Sequence, residues 1–414
     1  MKESFFQVVS VAEFTKLLAT FPKAPVQERE LSAAFGMSLA ETITSRDDLP
    51  QAHRSSVDGY AVRAADTFGA SESNPAYLDL AFAVEIQNPS DISLEPGHCA
   101  KITTGGCLPP EADAVVMVEQ TQELGSDTIE IRKSLSPWDN VMLRGEDVQA
   151  GENVLAPGTR LDGARIGLLA ALGYSRVLVH RHVTLGIIST GDEVVGIDEP
   201  VRPGLVRDVN SHTLSALAVA AGAKALRLGL VEDNLEALTA ALKRGLEDCD
   251  VVIISGGSSV GTRDHTLEAM QSIPGSRILA HGIAMSPGKP TILAAAADKA
   301  VLGLPGQVAS AQVVMQVLVM PFLAHLGGHE RPFAIGPTAS VPAKLNRNVA
   351  SRQGRTDFIR VSLEQDAQNQ LWATPVLGKS GLLKTLLQAH GLMEIPENQE
   401  GMTAGSQVMI RPLI

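Results

Sequence analysis

An alternation of short apolar runs with longer helical stretches between residues 181 and 327 constrains the fold of this chain most strongly. The apolar runs occupy 185–189, 224–230, 251–255 and 301–304. The helical stretches occupy 212–221, 235–246 and 308–326. Such alternation is typical of βαβ units, in which parallel strands form a sheet that helices cover on both faces. We therefore predict a doubly wound α/β domain over residues 181–327.

Glycine-containing turns follow three of the predicted strands. They have the sequences TGDE at 190–193, GGSSVG at 256–261 and PGQ at 305–307. Because ligands of open α/β sheets bind at the carboxyl ends of the strands, we expect these turns to border one cleft. The backbone N–H groups of the 256–261 turn suit a phosphate or another oxyanion, although such a turn also serves as a tight strand exit without a ligand.

Other elements surround this domain. Residues 8–45 and 160–175 have helical patterns, whereas 76–118 predicts a small β-rich insert because its apolar runs are broken by turn residues. After residue 328, further apolar runs predict a second β module. We predict four domains, the first discontinuous, with the boundaries 1–52 plus 141–180, 53–140, 181–327 and 328–414.

Composition excludes several classes of protein. The 34 Lys and Arg and the 46 Asp and Glu give a net charge of −12, the wrong sign for a nucleic-acid-binding surface. Three cysteines are too few for a disulfide framework or a cysteine-rich zinc site. The N-terminus lacks a secretory signal pattern, and Gln312, Gln316 and Pro321 interrupt the apolar stretch 308–326. We therefore expect a cytoplasmic protein that binds neither nucleic acid nor membrane.

Carboxylates recur at the predicted edge of the sheet. Asp192 and Glu193 follow the first strand, Asp233 follows the second, and Asp264 follows the glycine-rich turn. Because Mg²⁺ prefers oxygen ligands and bridges protein to phosphate, these positions predict a magnesium site. For Asp233 an N-terminal helix cap is an equally good interpretation, since Asp233 and Asn234 directly precede a predicted helix.

One cation lies between two prolines. Lys289 stands in the sequence Pro-Gly-Lys-Pro at 287–290. The fixed φ angle of each proline would hold the ammonium group on an oxyanion at little cost in ordering entropy. A solvated lysine in a surface turn is the alternative interpretation.

Eight motifs occur in an order that resembles the MoeA family of molybdopterin molybdenumtransferases, which includes the E domain of gephyrin. They are SSVDGYAVR at 55–63, TTGG at 103–106, ADAVV at 112–116, RGEDV at 144–148, TGDE at 190–193, SGGSSVG at 255–261, PGKP at 287–290 and LPG at 304–306. The resemblance spans nearly the whole chain.

The resemblance implies a homodimer of four-domain subunits, each with a doubly wound domain like the MogA adenylyltransferase and a C-terminal β-barrel. It implies a reaction in which adenylylated molybdopterin and molybdate yield molybdenum cofactor and AMP, with Mg²⁺. A MogA-type adenylyltransferase and acceptor molybdoenzymes are the implied partners.

The resemblance also implies roles for individual residues. On the side of the cleft contributed by the other subunit it places Asp58 and Asp147, in catalytic roles, and Thr104. At metal and catalytic positions of the doubly wound domain it places Glu193, Asp233 and Asp264. Around molybdate it places Lys289, Pro290, Arg355 and Ser380, and Lys289 also has a catalytic role. Substrate contacts would come from Thr104, Thr190, Gly256, Gly257, Ser258, Pro305 and Gly306.

The chain departs from the family pattern at charged positions. The family usually has Lys-x-x-x-Lys-Pro-Gly-Lys-Pro, and this chain has Gly282 and Ser286 in place of the first two lysines. Gln307-Val308 also replaces the usual Asn-Pro. A close charge contact contributes on the order of 1.5 to 3 kcal/mol, so two losses matter unless Arg263, Arg277 or His281 compensates. Two hypotheses follow: a working molybdate insertase, or a diverged paralogue that binds molybdopterin or cofactor as a carrier or maturation factor without efficient insertion.

Overall fold

The computed structural model describes residues 8–256, 265–333 and 340–413, which form two compact units. Unit 1 consists of Met1–Glu41, Pro157–Ala164 and Arg176–Ile414. Unit 2 consists of Thr42–Ala156 and Arg165–Ser175.

Eight α-helices occur among the described residues. They are α1 (Val11–Leu18), α2 (Gly163–Ala171), α3 (Asn210–Ala220), α4 (Leu235–Asp248), α5 (His265–Ser272), α6 (Val308–Val314), α7 (Met320–Leu326) and α8 (Lys384–Leu387). A π-helical turn, Met315–Val319, joins α6 to α7. Helix α1 begins with a capping box, in which Ser10 Oγ accepts from the Glu13 N–H and the Glu13 carboxylate accepts from the Ser10 N–H.

Twenty-eight strands occur in the described part of the chain. The first twelve are β1 (Val26–Glu30), β2 (Ile43–Thr44), β3 (Arg54–Ser55), β4 (Gly59–Val62), β5 (Ala76–Ala83), β6 (His98–Ile102), β7 (Ala114–Met117), β8 (Thr121–Leu124), β9 (Thr128–Ile131), β10 (Val141–Met142), β11 (Asn153–Leu155) and β12 (Arg176–His180). The others are β13 (Thr184–Thr190), β14 (Val194–Val195), β15 (Val206–Arg207), β16 (Lys224–Val231), β17 (Val251–Ser255), β18 (Ser276–His281), β19 (Met285–Ser286), β20 (Ile292–Ala296), β21 (Lys299–Leu304), β22 (Val341–Leu345), β23 (Val349–Ala350), β24 (Thr356–Gln365), β25 (Leu371–Pro375), β26 (Gly391–Ile395), β27 (Gly401–Met402) and β28 (Gln407–Pro412).

Unit 1 contains the predicted α/β sheet, with the strand order β16-β13-β17-β21-β20-β18. The four predicted strands, β13, β16, β17 and β21, run parallel. The sheet also has an edge that the sequence analysis did not predict, where β20 pairs antiparallel with both β21 and β18. Only Ala297 and Asp298 separate β20 from β21, and a loop this short joins antiparallel strands.

Helices cover both faces of this sheet, which confirms the doubly wound α/β class. Ile187 and Ile253 point into a core that also contains residues of α1, α3, α6 and α7. Their neighbours Ile188 and Ile254 point into a second core with residues of α4 and α5. The side-chain period of two along a strand therefore distributes β13 and β17 between two apolar layers.

The stretch Val308–Leu326 is the one described helix that is long and apolar enough to cross a membrane. Of its most apolar window, 67% is buried inside the protein. Val314, Leu318 and Phe322 belong to the core of the α/β domain and are at most 1% exposed. This packing agrees with the buried core helix that the sequence predicts.

The C-terminal part of unit 1 forms a closed barrel of five strands. The order is β24-β25-β22-β28-β26, and β26 pairs back with β24. Apolar residues from each strand, including Leu345, Val361 and Ile410, fill the interior. Strand β19 pairs in parallel with β24 and places Ser286 beside Asp357. The predicted C-terminal β-barrel is confirmed.

Unit 2 contains a six-stranded sheet with the order β7-β4-β6-β5-β9-β8. Tyr60, Cys99, Val116 and Ile131 lie in its core. The Tyr60 hydroxyl donates to Glu123 Oε1 at 2.6 Å. This sheet confirms the predicted β-rich insert.

The helical prediction for residues 8–45 is wrong beyond Leu18. Pro22 and Pro25 follow α1, and proline lacks the N–H that a continuing helix needs. Residues Val26–Glu30 instead form β1, which pairs antiparallel with β12. The helix predicted within 160–175 is present as α2.

Candidate functional site

A cleft of about 1310 Å³ opens at the carboxyl ends of the parallel strands in unit 1. The residues that border it at these ends are Ser189, Thr190, Glu193, Ser255, Gly256, Pro305 and Gly306. The three predicted turns therefore border one cleft, as far as they are described. Gly257, Ser258 and Asp264 lie outside the described residues, as does the rest of the 257–264 segment.

Apolar side chains form much of the cleft wall. Val194 and Val206 come from β14 and β15, Val209 precedes α3, and Val308 begins α6. Leu383 reaches the cleft from the barrel. Flat or apolar parts of a ligand would pack against this wall, because contact with it removes apolar surface from water.

Gly256 allows two strand ends to approach each other closely. Its φ angle is +115°, and a Cβ atom at this position would lie 2.0 Å from the Thr190 carbonyl oxygen. The turn after β21 also lies near, because a Cβ on Gly306 would be 3.4 Å from Gly256 Cα. Only a residue without a side chain fits at Gly256 in this geometry.

Asp208 and Asn210 were missed by the sequence analysis, although both border the cleft. Asp208 Oδ1 accepts from Ser189 Oγ at 2.9 Å and from the Ser211 N–H at 3.0 Å, and so fixes the start of α3 to the end of β13. Asn210 Nδ2 donates to Ser255 Oγ and to the Gly306 carbonyl, each at 2.8 Å. Their only sequence signal is the position of polar residues at a helix start near the sheet edge.

The N-terminal cap of α4 settles the alternative left open for Asp233. The capping residue is Asn234, whose side chain accepts from the Ala237 N–H at 2.9 Å. The helix-cap interpretation of Asp233 is therefore wrong. Asp233 Oδ1 is instead buried and has no hydrogen-bond partner within residues 8–256, 265–333 and 340–413.

Negative charge accumulates around Asp233. Burial raises the pKa of its carboxyl group above the usual range. Nearby His265 lowers this pKa, whereas Asp192 and Glu193 raise it further. A carboxylate in such surroundings is stabilised by a cation. Within residues 8–256, 265–333 and 340–413, no three His, Cys, Asp or Glu side chains come close enough together to hold a metal ion by themselves.

Lys289 and Pro290 border the same cleft from the segment between β19 and β20. Lys289 is exposed and forms no ion pair with any residue of the described chain. Its ammonium group is therefore available to an anion in the cleft.

Ser380 directly precedes Gly381, which borders the cleft. The Ser380 hydroxyl donates to Gln307 Oε1, and the Ser380 carbonyl accepts from the Ala309 N–H at 3.0 Å. These contacts fasten a loop of the barrel to the start of α6. They use the hydroxyl that the resemblance assigns to molybdate.

Arg355 does not border the cleft. Its Nε lies 2.8 Å from Asp357 Oδ1 and its Nη2 donates to Asp357 Oδ2 at 3.1 Å. The Asp357 side chain is only 4% exposed, so Arg355 neutralises a buried carboxylate in this structure. Neither Gly282 nor Ser286 borders the cleft; Gly282 is buried with a φ angle of +101°.

Unit 2 brings together two of its predicted site residues. Asp58 Oδ1 accepts from the Thr104 N–H at 2.7 Å and from the Thr104 hydroxyl at 3.1 Å. Asp147 is exposed, and its N–H donates to the Leu49 carbonyl at 3.1 Å. Asp58 and Asp147 thus present carboxylates at the surface of unit 2.

Comparisons with known proteins agree along nearly the whole chain. Three family models match: the MoeA N-terminal region, domains I and II, at 9–173; a probable molybdopterin binding domain at 186–325; and the MoeA C-terminal region, domain IV, at 342–413.

Two named relatives and one solved structure illustrate the similarity. A molybdopterin molybdenumtransferase of Bacillus subtilis is 35% identical over 376 residues, covering 90% of this chain and 86% of the relative. Molybdopterin molybdenumtransferase 2 of Mycobacterium tuberculosis is 33% identical over 408 residues, covering 97% and 98%. The crystal structure of a molybdopterin biosynthesis MoeA protein from Pyrococcus horikoshii OT3 superposes with a TM-score of 0.82 at 30% identity, covering 98% of this chain and 100% of that one.

Proposed function

This chain belongs to the MoeA family and acts in molybdenum cofactor biosynthesis as a transferase; we propose that it inserts molybdate into adenylylated molybdopterin and releases AMP. The observation that carries this proposal is the cleft at the strand ends, which is bordered by Lys289, a cation without an ion pair in the described part of the chain, and by the carboxylates of Glu193 and Asp208. An adenylylated pterin with molybdate supplies both an apolar plane for the wall and negative charge for Lys289.

The acidic edge fits a divalent cation. Asp233 Oδ1, which no other described residue contacts through a hydrogen bond, and the neighbouring Glu193 carboxylate are hard oxygen donors, which Mg²⁺ prefers. Glu193 and Asp233 would hold the ion, together with oxygen atoms of substrate and water. When bound, Mg²⁺ would neutralise phosphate charge and favour deprotonation of a coordinated water.

Lys289 and the strand ends have separate tasks in this proposal. The Lys289 ammonium binds molybdate and offsets its charge next to the reacting phosphate. Gly256 and Gly306 keep the backbone close to the substrate, because no side chain intervenes there. The valine-rich wall excludes water from one side of the bound substrate.

A second candidate function is a carrier or maturation factor that binds molybdopterin or cofactor without efficient insertion. Specific contacts favour it: Arg355 is paired with Asp357, and Ser380 is hydrogen-bonded to Gln307. Of the side chains expected around molybdate, Lys289 alone is a cation bordering the described part of the cleft without a carboxylate partner.

We further propose that the protein works in the cytoplasm as a homodimer, receives substrate from a MogA-type adenylyltransferase and delivers product to molybdoenzymes. The net charge of −12 supports a partner set without nucleic acid. Burial of Val308–Leu326 supports the expectation that no membrane is involved.

The deciding experiment measures molybdate-dependent AMP release from adenylylated molybdopterin with Mg²⁺, followed by reconstitution of a cofactor-free molybdoenzyme. Glu193→Ala should lower AMP release by about 100-fold or more, since it removes a charged group from the reacting centre. Glu247→Ala is the matched control, because Glu247 is an exposed residue of α4 that does not border the cleft.

Each outcome separates the two candidates. AMP release with reconstitution supports the insertase. Tight binding of substrate without either reaction supports the carrier. Full turnover of the Glu193→Ala variant would refute the role assigned to this carboxylate.

A further inference from the structure

Two buried polar atoms at the cleft have no partner among the described residues. They are Asn210 Oδ1 and Thr190 Oγ1. The two side chains are only 8% and 2% exposed, and both residues border the cleft. Burying an acceptor without a partner is unfavourable, so a structure retains one where something else satisfies it.

The hydrogen bonds of Asn210 fix which amide atom is left over. Its nitrogen donates to Ser255 Oγ and to the Gly306 carbonyl. The carbonyl of Gly306 can only accept, so the atom facing it must be the NH₂ group. The remaining atom, Oδ1, is therefore an oxygen that can accept a hydrogen bond and cannot donate one.

This donor requirement excludes the anionic parts of a substrate. The oxygens of molybdate and of an ionised phosphate are themselves acceptors and would be repelled by Asn210 Oδ1. An N–H group of a heterocycle can donate the hydrogen bond that Asn210 Oδ1 lacks. The Thr190 hydroxyl, which both donates and accepts, suits a ring nitrogen next to that N–H.

The surroundings hold these two groups in place. Asp208 accepts from the Ser189 hydroxyl and the Ser211 N–H, which anchors α3 and with it Asn210. Gly256 brings the end of β17 against the Thr190 carbonyl. Two strand ends, a helix start and the turn after β21 therefore meet at one rigid point, as a recognition site requires.

We propose that Asn210, assisted by Thr190, is a specificity-determining subsite that accepts a hydrogen bond from the amino group of a fused heterocycle. The amino group stands beside a ring nitrogen in both adenine and pterin, so the two share the recognised chemistry. This inference rests on the proposed function, because that function brings such a heterocycle to the cleft.

The test compares ligand pairs that differ by the amino group, using calorimetric affinities for the full-length protein. One pair is AMP and purine riboside 5′-monophosphate; the other is pterin and 4-oxopteridine. The wild type should prefer the amino-bearing member of one pair by about three- to tenfold, the value of one net hydrogen bond. The pair that shows the preference identifies the heterocycle.

One variant locates the acceptor. Asn210→Leu has a similar volume without an acceptor, and its preference ratio should fall to about one. Because each ratio compares two ligands on the same variant, any general weakening of the fold cancels.

Equal affinities within both pairs for the wild type would overturn the proposal, and so would an unchanged preference in Asn210→Leu. Asn210 would then only tie Ser255 to Gly306. AMP release from the full substrate is measured on the same samples. Release without discrimination overturns the subsite and supports the proposed function, whereas discrimination without release supports the subsite and counts against that function.

Discussion

Replacing Gly256 with alanine should damage both the fold and the cleft, because the added methyl group would collide with a neighbouring strand end. Its Cβ would lie 2.0 Å from the Thr190 carbonyl oxygen, whereas Cβ contacts below 3.0 Å are essentially never seen. The two strand ends would have to separate by about 1 Å. The φ angle of +115° adds strain for any residue with a side chain.

A matched control isolates the collision from the strain. Gly229 in β16 has a φ angle of +105°, and a Cβ there meets nothing within 4 Å. Gly229→Ala should therefore cost about 1–2 kcal/mol from backbone strain alone. Gly256→Ala should cost a further 1–3 kcal/mol, the range for overpacking a tightly packed interior.

Urea unfolding followed by tryptophan fluorescence and circular dichroism gives the two stabilities, and AMP release gives the activity. A shift of about 1 Å at the cleft should lower turnover up to about 100-fold in Gly256→Ala, while Gly229→Ala stays near wild type. Equal unfolding midpoints for the two variants would show that the approach of Gly256 to Thr190 is not a tight contact, and the reasoning would fail.

Three further predictions concern charge; two variants add a lysine and one removes a carboxylate. Ser286→Lys should raise molybdate-dependent turnover about tenfold if the lost cation limits the reaction; unchanged kinetics would show that other groups compensate for this cation. Gly282→Lys should instead lower the melting temperature, because Gly282 is buried at a φ angle of +101°. Asp250→Asn should cost about 1–3 kcal/mol at pH 7, because Asp250 pairs with Arg181 at 2.5 and 2.7 Å. Burial raises the pKa of the Asp250 carboxyl group, but its hydrogen bonds with Arg181 lower this pKa overall, so the stability advantage of the wild type over Asp250→Asn should shrink as the pH falls below about 4. Urea unfolding of both proteins at pH 7 and at a pH below about 4 measures this difference in stability. A difference that is the same at the two pH values would contradict the prediction.

Local sequence patterns were sufficient to predict the central strands of the α/β sheet. The run 251–255 is apolar at each of its first four positions, and all five residues of β17 are buried. A strand buried on both faces has no polar alternation, so the sequence alone indicated a parallel sheet covered by helices. Strand order then placed the turns at 190–193 and 305–307 on one cleft, because parallel strands end at the same edge.

The antiparallel edge of the same sheet was not predictable in this way. Residues 292–304 contain no Asn-Gly or Asp-Gly turn signal, and Ala297 takes the positive φ angle of +54° in the hairpin. Alanine carries no local preference for that conformation. The pairing of β20 with β21 offsets the cost of the positive φ angle at Ala297.

Charge alone did not reveal how Arg355 and Ser380 are used. The resemblance placed both around molybdate, but the structure pairs Arg355 with Asp357 and Ser380 with Gln307. Asp357 is two residues away in sequence, yet its burial depends on barrel closure. A buried carboxylate attracts the nearest cation, and only the closed barrel determines which carboxylate is buried.

The sequence by itself determined the family, the α/β class and the residues able to bind an anion or a cation, since these depend on side-chain chemistry and on local periodicity. Tertiary structure decided which of those groups remain available to a ligand. Asn234, and not Asp233, caps α4. The Asn210 nitrogen donates to Ser255 and Gly306, while its oxygen has no partner among the residues that the structure describes. Such choices depend on hydrogen-bond partners distant in sequence, which meet only when three strand ends come together.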